Sequence, residues 1–173
     1  MSALLLIVGL VAAERLGELV YSTHNERRLK ARGAIELGAG HYPLFVVLHA
    51  AWLFALVVLV PWDATVDWLW LGAFVALQVL RVWTIASLGR FWTTRVYDLP
   101  YMPLVRHGPY RFIAHPNYLI VAGEIATLPL VFGAWQIALI FSVLNAALLA
   151  WRIRIEERSL ASRRSVPESR RPA

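Results

Sequence analysis

The sequence predicts an all-α integral membrane bundle of five transmembrane helices. Three observations carry that prediction: an apolar composition, five apolar runs of span length, and basic residues confined to alternate connections. Hydrophobic residues make up 59% of the 173 and charged residues only 16%, with a mean hydropathy of +0.58, the balance of a polytopic membrane chain. Inside hydrocarbon every backbone N–H and C=O needs a partner within the protein, so the spans are expected to be helices. Cysteine is absent, which excludes disulfides, thiolate metal sites and cysteine nucleophiles. The first apolar run has no basic leader and no A-x-A site, so it reads as a span rather than a cleaved signal.

A span takes roughly 20 mainly apolar residues. The first is Ala3–Val20, ALLLIVGLVAAERLGELV, charged only toward its end. The second, Pro43–Val60, carries no formal charge. The third covers Val66–Ala86 and bears Gln78 and Arg81 in its second half. The fourth covers Asn117–Phe132, where Pro129 removes a backbone donor and leaves a tilted or re-entrant segment open. The fifth covers Trp135–Ile153, and Gly133–Ala134 leaves room only for a tight hairpin before it.

Basic residues assign the ends. The connection at 21–42 carries Arg27, Arg28, Lys30 and Arg32, and the one at 87–116 carries Arg90, Arg95, Arg106 and Arg111. Seven further arginines follow from residue 152, whereas the connections at 61–65 and 133–134 have none. By the positive-inside rule the N-terminus is expected outside, with both basic connections and the C-terminus in the cytoplasm. The net charge of +6 is then an orientation signal with some attraction to anionic membrane lipids, and nucleic acid drops out as a partner. Residues 1–160 read as one membrane domain and 161–173, ASRRSVPESRRPA, as a disordered basic tail without apolar periodicity.

Two polar stretches interrupt this pattern on the same predicted side. RHGPYRFIAHPNY, residues 106–118, opens the fourth span, and WRIRIEERSL, residues 151–160, closes the fifth. A hairpin of spans four and five brings them together. GPYRFIAHPNY resembles the G-P-Y-x-x-x-R-H-P-x-Y signature of the isoprenylcysteine carboxyl methyltransferase and phospholipid methyltransferase superfamily, and RIRIEE resembles its closing R-I-x-x-E-E motif. The front half, ERLGELVYSTHNERRLKARGAIELGAGHYP, resembles a bacterial branch that methylates phenolic lipids such as alkylresorcinols and alkylpyrones. Ala114 stands where the signature has arginine, with Arg111 three residues earlier, and Ile120 stands where it has a small residue.

The resemblance implies an S-adenosylmethionine-dependent methyltransferase with a cytosolic cofactor pocket at the last two spans, in a bacterial inner membrane. It implies cofactor contacts from His115 and Tyr118, a shaping turn at His107, Gly108, Pro109 and Tyr110, and polar contacts from Glu156 and Glu157. Arg152 matches the arginine heading the closing motif. The acceptor is expected to be a lipophilic small molecule or lipid: a phenolic lipid first, a prenylcysteine-like carboxylate second and a lipid amine third. A non-catalytic membrane subunit that keeps the hairpin only for packing is the alternative from another class.

Methyl transfer from a sulfonium is an in-line displacement in which alignment can supply about 7–11 kcal/mol. A carboxylate acceptor is already the nucleophile near neutral pH, whereas a phenol with a pKa near ~10 gains from a general base. Glu124 lies two turns after Asn117 on one face of the fourth span, where an ionisable group costs roughly 2.5–3.5 kcal/mol. Glu124 or His115 is read as the base, with Asn117 beside the acceptor; pairing of Glu124 with Arg81 is the structural alternative. Glu14 and Glu18, at i and i+4, either line the acceptor pocket or form interfacial charge bridged to the basic connection. His49 reads as a packed histidine, His24 and His41 as loop residues, and Asn145 as polar glue to a neighbouring helix. Trp62, Trp68, Trp70 and Trp135 suit an outer aromatic belt. Trp83, Trp92 and Trp151 suit the inner side, as an aromatic belt or, for one of them, as a shield over the cofactor, and no His/Asp cluster has metal-ligand spacing.

Overall fold

The first apolar run does not stop at Val20. In the computed structural model, which describes residues 2–37, 40, 42–98, 107–113 and 115–164 and side chains as far as Arg154, helix α1 covers Ala3–Lys30. The Ser2 hydroxyl accepts from the Leu5 amide at 3.3 Å and caps its start. Arg27, Arg28 and Lys30 crowd its last turn, where cations complement the helix dipole and let the polar extension stay helical. His24, expected in a loop, is therefore an exposed residue of α1, and His41 lies outside the described residues. Helix α2 covers Tyr42–Leu59 and α3 covers Trp68–Leu88, the latter capped by the Asp67 carboxylate, which accepts from the Leu69 amide at 2.9 Å and the Trp70 amide at 3.3 Å. Helix α4, Pro116–Leu130, starts on a proline whose missing N–H costs nothing in the first turn. Helix α5, Trp135–Arg164, continues past residue 160, into the stretch expected to be disordered; residues 165–173 lie outside the described ones.

Among the described residues, three helices, α2, α3 and α5, are long and apolar enough to cross a membrane. Helix α4 has only 15 residues, about 22 Å at 1.5 Å per residue, and is shorter than the hydrocarbon core. Helix α1 is long but holds Glu14, Arg15 and Glu18 among its first 18 residues. Its outward face is nevertheless apolar, with Leu6, Leu10, Leu16 and Val20 exposed, while Glu18 is buried.

The connections segregate to two ends as the charge pattern requires. Strands β1 (Ile35–Leu37) and β2 (Val96–Asp98) pair antiparallel with Glu36 opposite Tyr97, joining the connection after α1 to the one after α3. Strands of three residues carry too little alternation to be read from sequence, and the ribbon is an addition to the expected all-helical fold. Arg95 Nη1 donates to Glu36 Oε1 at 2.6 Å across it. Burial raises the Glu36 carboxyl, but the bond and charge of Arg95, with Lys30 and Tyr97, outweigh that and hold it below the ordinary carboxylate range. The pair is thus kept at neutral pH and lost only as pH falls through that depressed value. Arg152 of α5 reaches the same end, its Nη2 donating to the Thr94 carbonyl at 3.0 Å. At the opposite end the Asp67 amide donates to the Val131 carbonyl at 2.8 Å.

Helix α4 is the most enclosed element. Val121, Ile125 and Leu128 pack with Leu4, Val8 and Val11 of α1, Leu48, Trp52 and Leu56 of α2, Phe74 of α3 and Ile137 of α5. A Cβ at Gly123 would sit 2.9 Å from Leu77 Cδ1, so this glycine sets the α3–α4 approach. Asn145 is buried, but neither of its amide atoms has a hydrogen-bond partner among the described residues, which corrects the expectation of polar glue. The α4–α5 hairpin closes through Gly133, whose amide donates to the Leu130 carbonyl at 3.0 Å and whose φ is +69°. Replacing it by alanine meets no steric contact within 4 Å, only the backbone penalty. Gly133→Ala is expected to cost about 1–2 kcal/mol, read as a lowered thermal unfolding midpoint in detergent; an unchanged midpoint contradicts this hairpin.

Candidate active site

The polar stretch that opens α4 begins with a one-turn 3-10 helix, Gly108–Arg111, preceded by the exposed His107. Gly108 has φ +60°, and a Cβ there would lie 2.1 Å from Ser87 Oγ. Backbone conformation and contact with the end of α3 therefore both demand glycine. Pro109 is buried, and burial pushes the Tyr110 phenol up to about 12, so that ring stays neutral. His115, just before Pro116, stacks on Tyr118 one turn later, with ring centroids 5.1 Å apart and planes 4° from parallel. The Arg152 guanidinium lies 5.3 Å from the Tyr118 ring and 5.3 Å from the Phe45 ring, joining α4, α5 and α2 through cation–π contacts. Thr94, whose carbonyl holds Arg152, is itself fixed: its amide donates to Ser22 Oγ at 2.9 Å and its hydroxyl donates to the Tyr42 hydroxyl at 3.1 Å.

Deeper in the bundle the charges of α1, α3 and α4 form one network. Arg81 grips both oxygens of Glu18 through Nε and Nη2, the latter at 2.7 Å, and donates from Nη1 to Glu124 Oε2 at 2.7 Å. Arg15 bonds Glu18 at 2.9 Å and Glu124 at 3.2 Å, and Gln78 Nε2 donates to Glu124 Oε1 at 3.0 Å. Glu14 is half-buried and 3.7 Å from Arg15. Every one of these ions is expensive at membrane depth, and only their mutual pairing makes the set tolerable.

Between the two groups lies a cavity of about 340 Å³. Asn117, Tyr118, Thr94, Tyr42 and Arg152 form its end near the ribbon, and Arg15, Glu18 and Arg81 form its charged floor. Ala12, Leu16 and Leu19 of α1 and Val46, Ala50 and Leu53 of α2 make up its apolar lining, with His49 also in the lining. The Asn117 Oδ1 is buried with no hydrogen-bond partner among the described residues.

The structure thus brings Asn117, Tyr118, Arg152 and Glu18 to one cavity, with His115 stacked behind Tyr118 and Glu124 behind the floor. His107 to Tyr110 stand against the end of α3, outside the cavity lining. Glu156 and Glu157 lie in helix α5, but their side chains are outside the described residues, as is Ala114. Trp92 is not an interfacial tryptophan: it is buried, stacks on Tyr21 at 5.8 Å and lines the cavity. Sequence reasoning does not single out Tyr42, Phe45 and Thr94. The first two, with His49, have spacings of three and four on one face of α2, a signal the sequence does contain.

Residues 70–162 match the model of the isoprenylcysteine carboxyl methyltransferase family. The chain belongs to the isoprenylcysteine carboxyl methyltransferase family. With its long apolar helices it is accordingly a membrane methyltransferase. The uncharacterized protein YpbQ of Bacillus subtilis (strain 168) is 36% identical over 160 residues, covering 90% of this chain and 95% of YpbQ. An uncharacterized protein of Haemophilus influenzae is 27% identical over 157 residues, covering 87% of this chain and 91% of that one. No solved structure matches. The family match takes in α4, nearly all of α3 and α5 as far as residue 162; α1 and α2, which make the apolar wall, precede it.

Removing the central guanidinium leaves two buried carboxylates without their main partner. Arg81→Met is expected to destabilise the protein by about 3–5 kcal/mol, and Arg81→Lys to recover little, because an ammonium cannot span both carboxylates bidentately. Thermal unfolding in detergent reads both; a lysine variant as stable as wild type contradicts the bidentate arrangement.

Proposed function

We propose that the chain is an integral membrane S-adenosylmethionine-dependent O-methyltransferase whose acceptor is a lipophilic phenol. The observation that carries this reading is the single cavity with a polar, aromatic corner at Asn117, Tyr118 and Arg152 and an apolar wall between α1 and α2. The corner suits the cofactor in its chemistry. Asn117 Oδ1 is a buried acceptor awaiting a donor, the Arg152 guanidinium suits a carboxylate, and the stacked His115 and Tyr118 rings hold the corner in place. Gly108, Pro109 and Tyr110 shape the approach to that corner, with His107 preceding them, and Glu156 and Glu157 follow Arg152 by one turn of α5. When bound, S-adenosylmethionine supplies a methyl group that leaves its sulfur for a nucleophile aligned behind it.

The apolar wall takes the tail of the acceptor from the lipid, and the lining side chains exclude water around the reacting oxygen. Three arginines line the cavity, yet Arg15 and Arg81 are both engaged by Glu18 and Glu124. A self-neutralised floor favours a neutral hydroxyl over a carboxylate acceptor. Glu124, with both oxygens held by Arg15, Arg81 and Gln78, serves in this reading to fix the two guanidiniums, and Glu14 and Glu18 to close the floor. The basic connections and the ribbon face the cytoplasm, where the cofactor is, and the N-terminus faces outward.

Isothermal titration of detergent-purified protein with S-adenosylhomocysteine is expected to give one site, weakened at least tenfold by Tyr118→Ala. Labelled methyl is expected to pass from S-adenosylmethionine to a long-chain resorcinol and not to a farnesylated cysteine. Absence of binding at high micromolar ligand overturns the enzyme reading in favour of a non-catalytic subunit. Transfer to the cysteine alone overturns the phenol.

A further inference from the structure

We propose that His49 is the general base that takes the proton of the acceptor hydroxyl. The inference rests on the hydroxyl-acceptor reading above. His49 Nδ1 lies 2.8 Å from the Phe45 carbonyl oxygen one turn earlier in α2. A carbonyl can only accept, so Nδ1 carries the hydrogen, and the neutral ring is left with a lone pair on Nε2. The edge of the ring meets Trp52, with centroids 6.3 Å apart and planes at 84°, which fixes its orientation. Nε2 makes no hydrogen bond among the described residues, and the ring lines the cavity.

The other lining groups are poorer proton acceptors. Glu18 has both oxygens on Arg81 and a further bond from Arg15, and Glu124 behind it is held by three donors. Guanidinium groups stay protonated, and the Asn117 amide does not titrate. Tyr42 already accepts from Thr94. His49 thus combines an open lone pair with a place in the cavity lining, which the other groups do not. Its position fits as well, because Phe45, one turn away, touches the Arg152 guanidinium that covers Tyr118. His49 therefore stands one helical turn deeper than the cofactor corner, against the same cavity.

In the step, the acceptor O–H bond breaks and its proton passes to Nε2. The oxygen lone pair forms the new O–CH₃ bond while the methyl–sulfur bond breaks, its electron pair remaining on sulfur. The imidazolium then returns the proton to solvent. The charged groups that line the same cavity as His49 are Arg15 and Glu18 of α1, Arg81 of α3 and Arg152 of α5, and Glu124 of α4 acts on it from behind the floor.

Two acceptors of equal chain length separate the outcomes, an alkylphenol and an alkylnitrophenol that is already ionised at the assay pH. His49→Gln is expected to slow methylation of the alkylphenol roughly 10²-fold, leave the nitrophenol within a few-fold of wild type, and leave S-adenosylhomocysteine affinity by calorimetry unchanged. Without cofactor and below the free nitrophenol's own pKa, wild-type protein is expected to bind it with the visible nitrophenolate band, and His49→Gln without it. Equal loss on both acceptors assigns His49 a structural role and overturns the inference, as does loss on neither. Wild-type protein that binds S-adenosylhomocysteine but methylates neither phenol removes the hydroxyl-acceptor reading itself, and the base with it.

Discussion

Arg81 is the constraint on which the rest of the bundle depends. Its guanidinium joins Glu18 of α1 to Glu124 of α4, and Arg15 closes the same circuit from the other side. Without that circuit, α1 would bring three charged residues into an apolar bundle with nothing to meet them. With it, the charges turn inward, Leu6, Leu10 and Val20 turn outward, and α1 can pack beside a helix too short to span the hydrocarbon unaided. Arginine suits this place better than lysine because its planar fork reaches two carboxylates while keeping defined geometry.

The same circuit shapes the cavity. It makes a floor whose two guanidiniums are both held by carboxylates, beneath a wall of small and aliphatic residues from α1 and α2. Above that floor stands the corner in which Phe45, Arg152 and Tyr118 tie three helices together. The β1–β2 ribbon and the Thr94 contacts brace the corner from outside the bundle, so the position of Arg152 is linked to both basic connections. Asn117, Tyr118 and Arg152 of the polar corner thus come from the second half of the chain, and the apolar wall of α1 and α2 from the first. Only the half containing the polar corner lies within the family match.

Much of this is legible in the sequence. Apolar runs locate the five helices, because the periodicity and length of a helix leave a long signal, and arginine placement assigns the connections to two ends, because charge is read directly. Asn117 and Tyr118 of the HPNY stretch lie in the cavity lining, whereas the GPY turn stands against the end of α3. The extension of α1 to Lys30 is hidden because its polar residues look like a loop, although helix-compatible residues continue and the last turn is basic. The ribbon is hidden because three-residue strands have almost no pattern. Arg81 is visible as a partner of Glu124, but its grip on Glu18 depends on how α1 and α3 cross, which no local pattern encodes. His49 is the packed, hydrogen-bonded histidine that the sequence suggests, but its place in the cavity lining depends on how other helices pack, which no local pattern encodes.

Cofactor and acceptor share one cavity in this mechanism, with the polar corner at one end and the α1–α2 wall at the other. An experimental structure of the protein in lipid nanodiscs with S-adenosylhomocysteine and a long-chain phenol tests that claim most directly. The expected result is S-adenosylhomocysteine against Asn117, Tyr118 and Arg152, with the phenol oxygen between that ligand and His49 and the chain leaving between α1 and α2. Ligands in two separate sites, or S-adenosylhomocysteine bound against other helices, would contradict it.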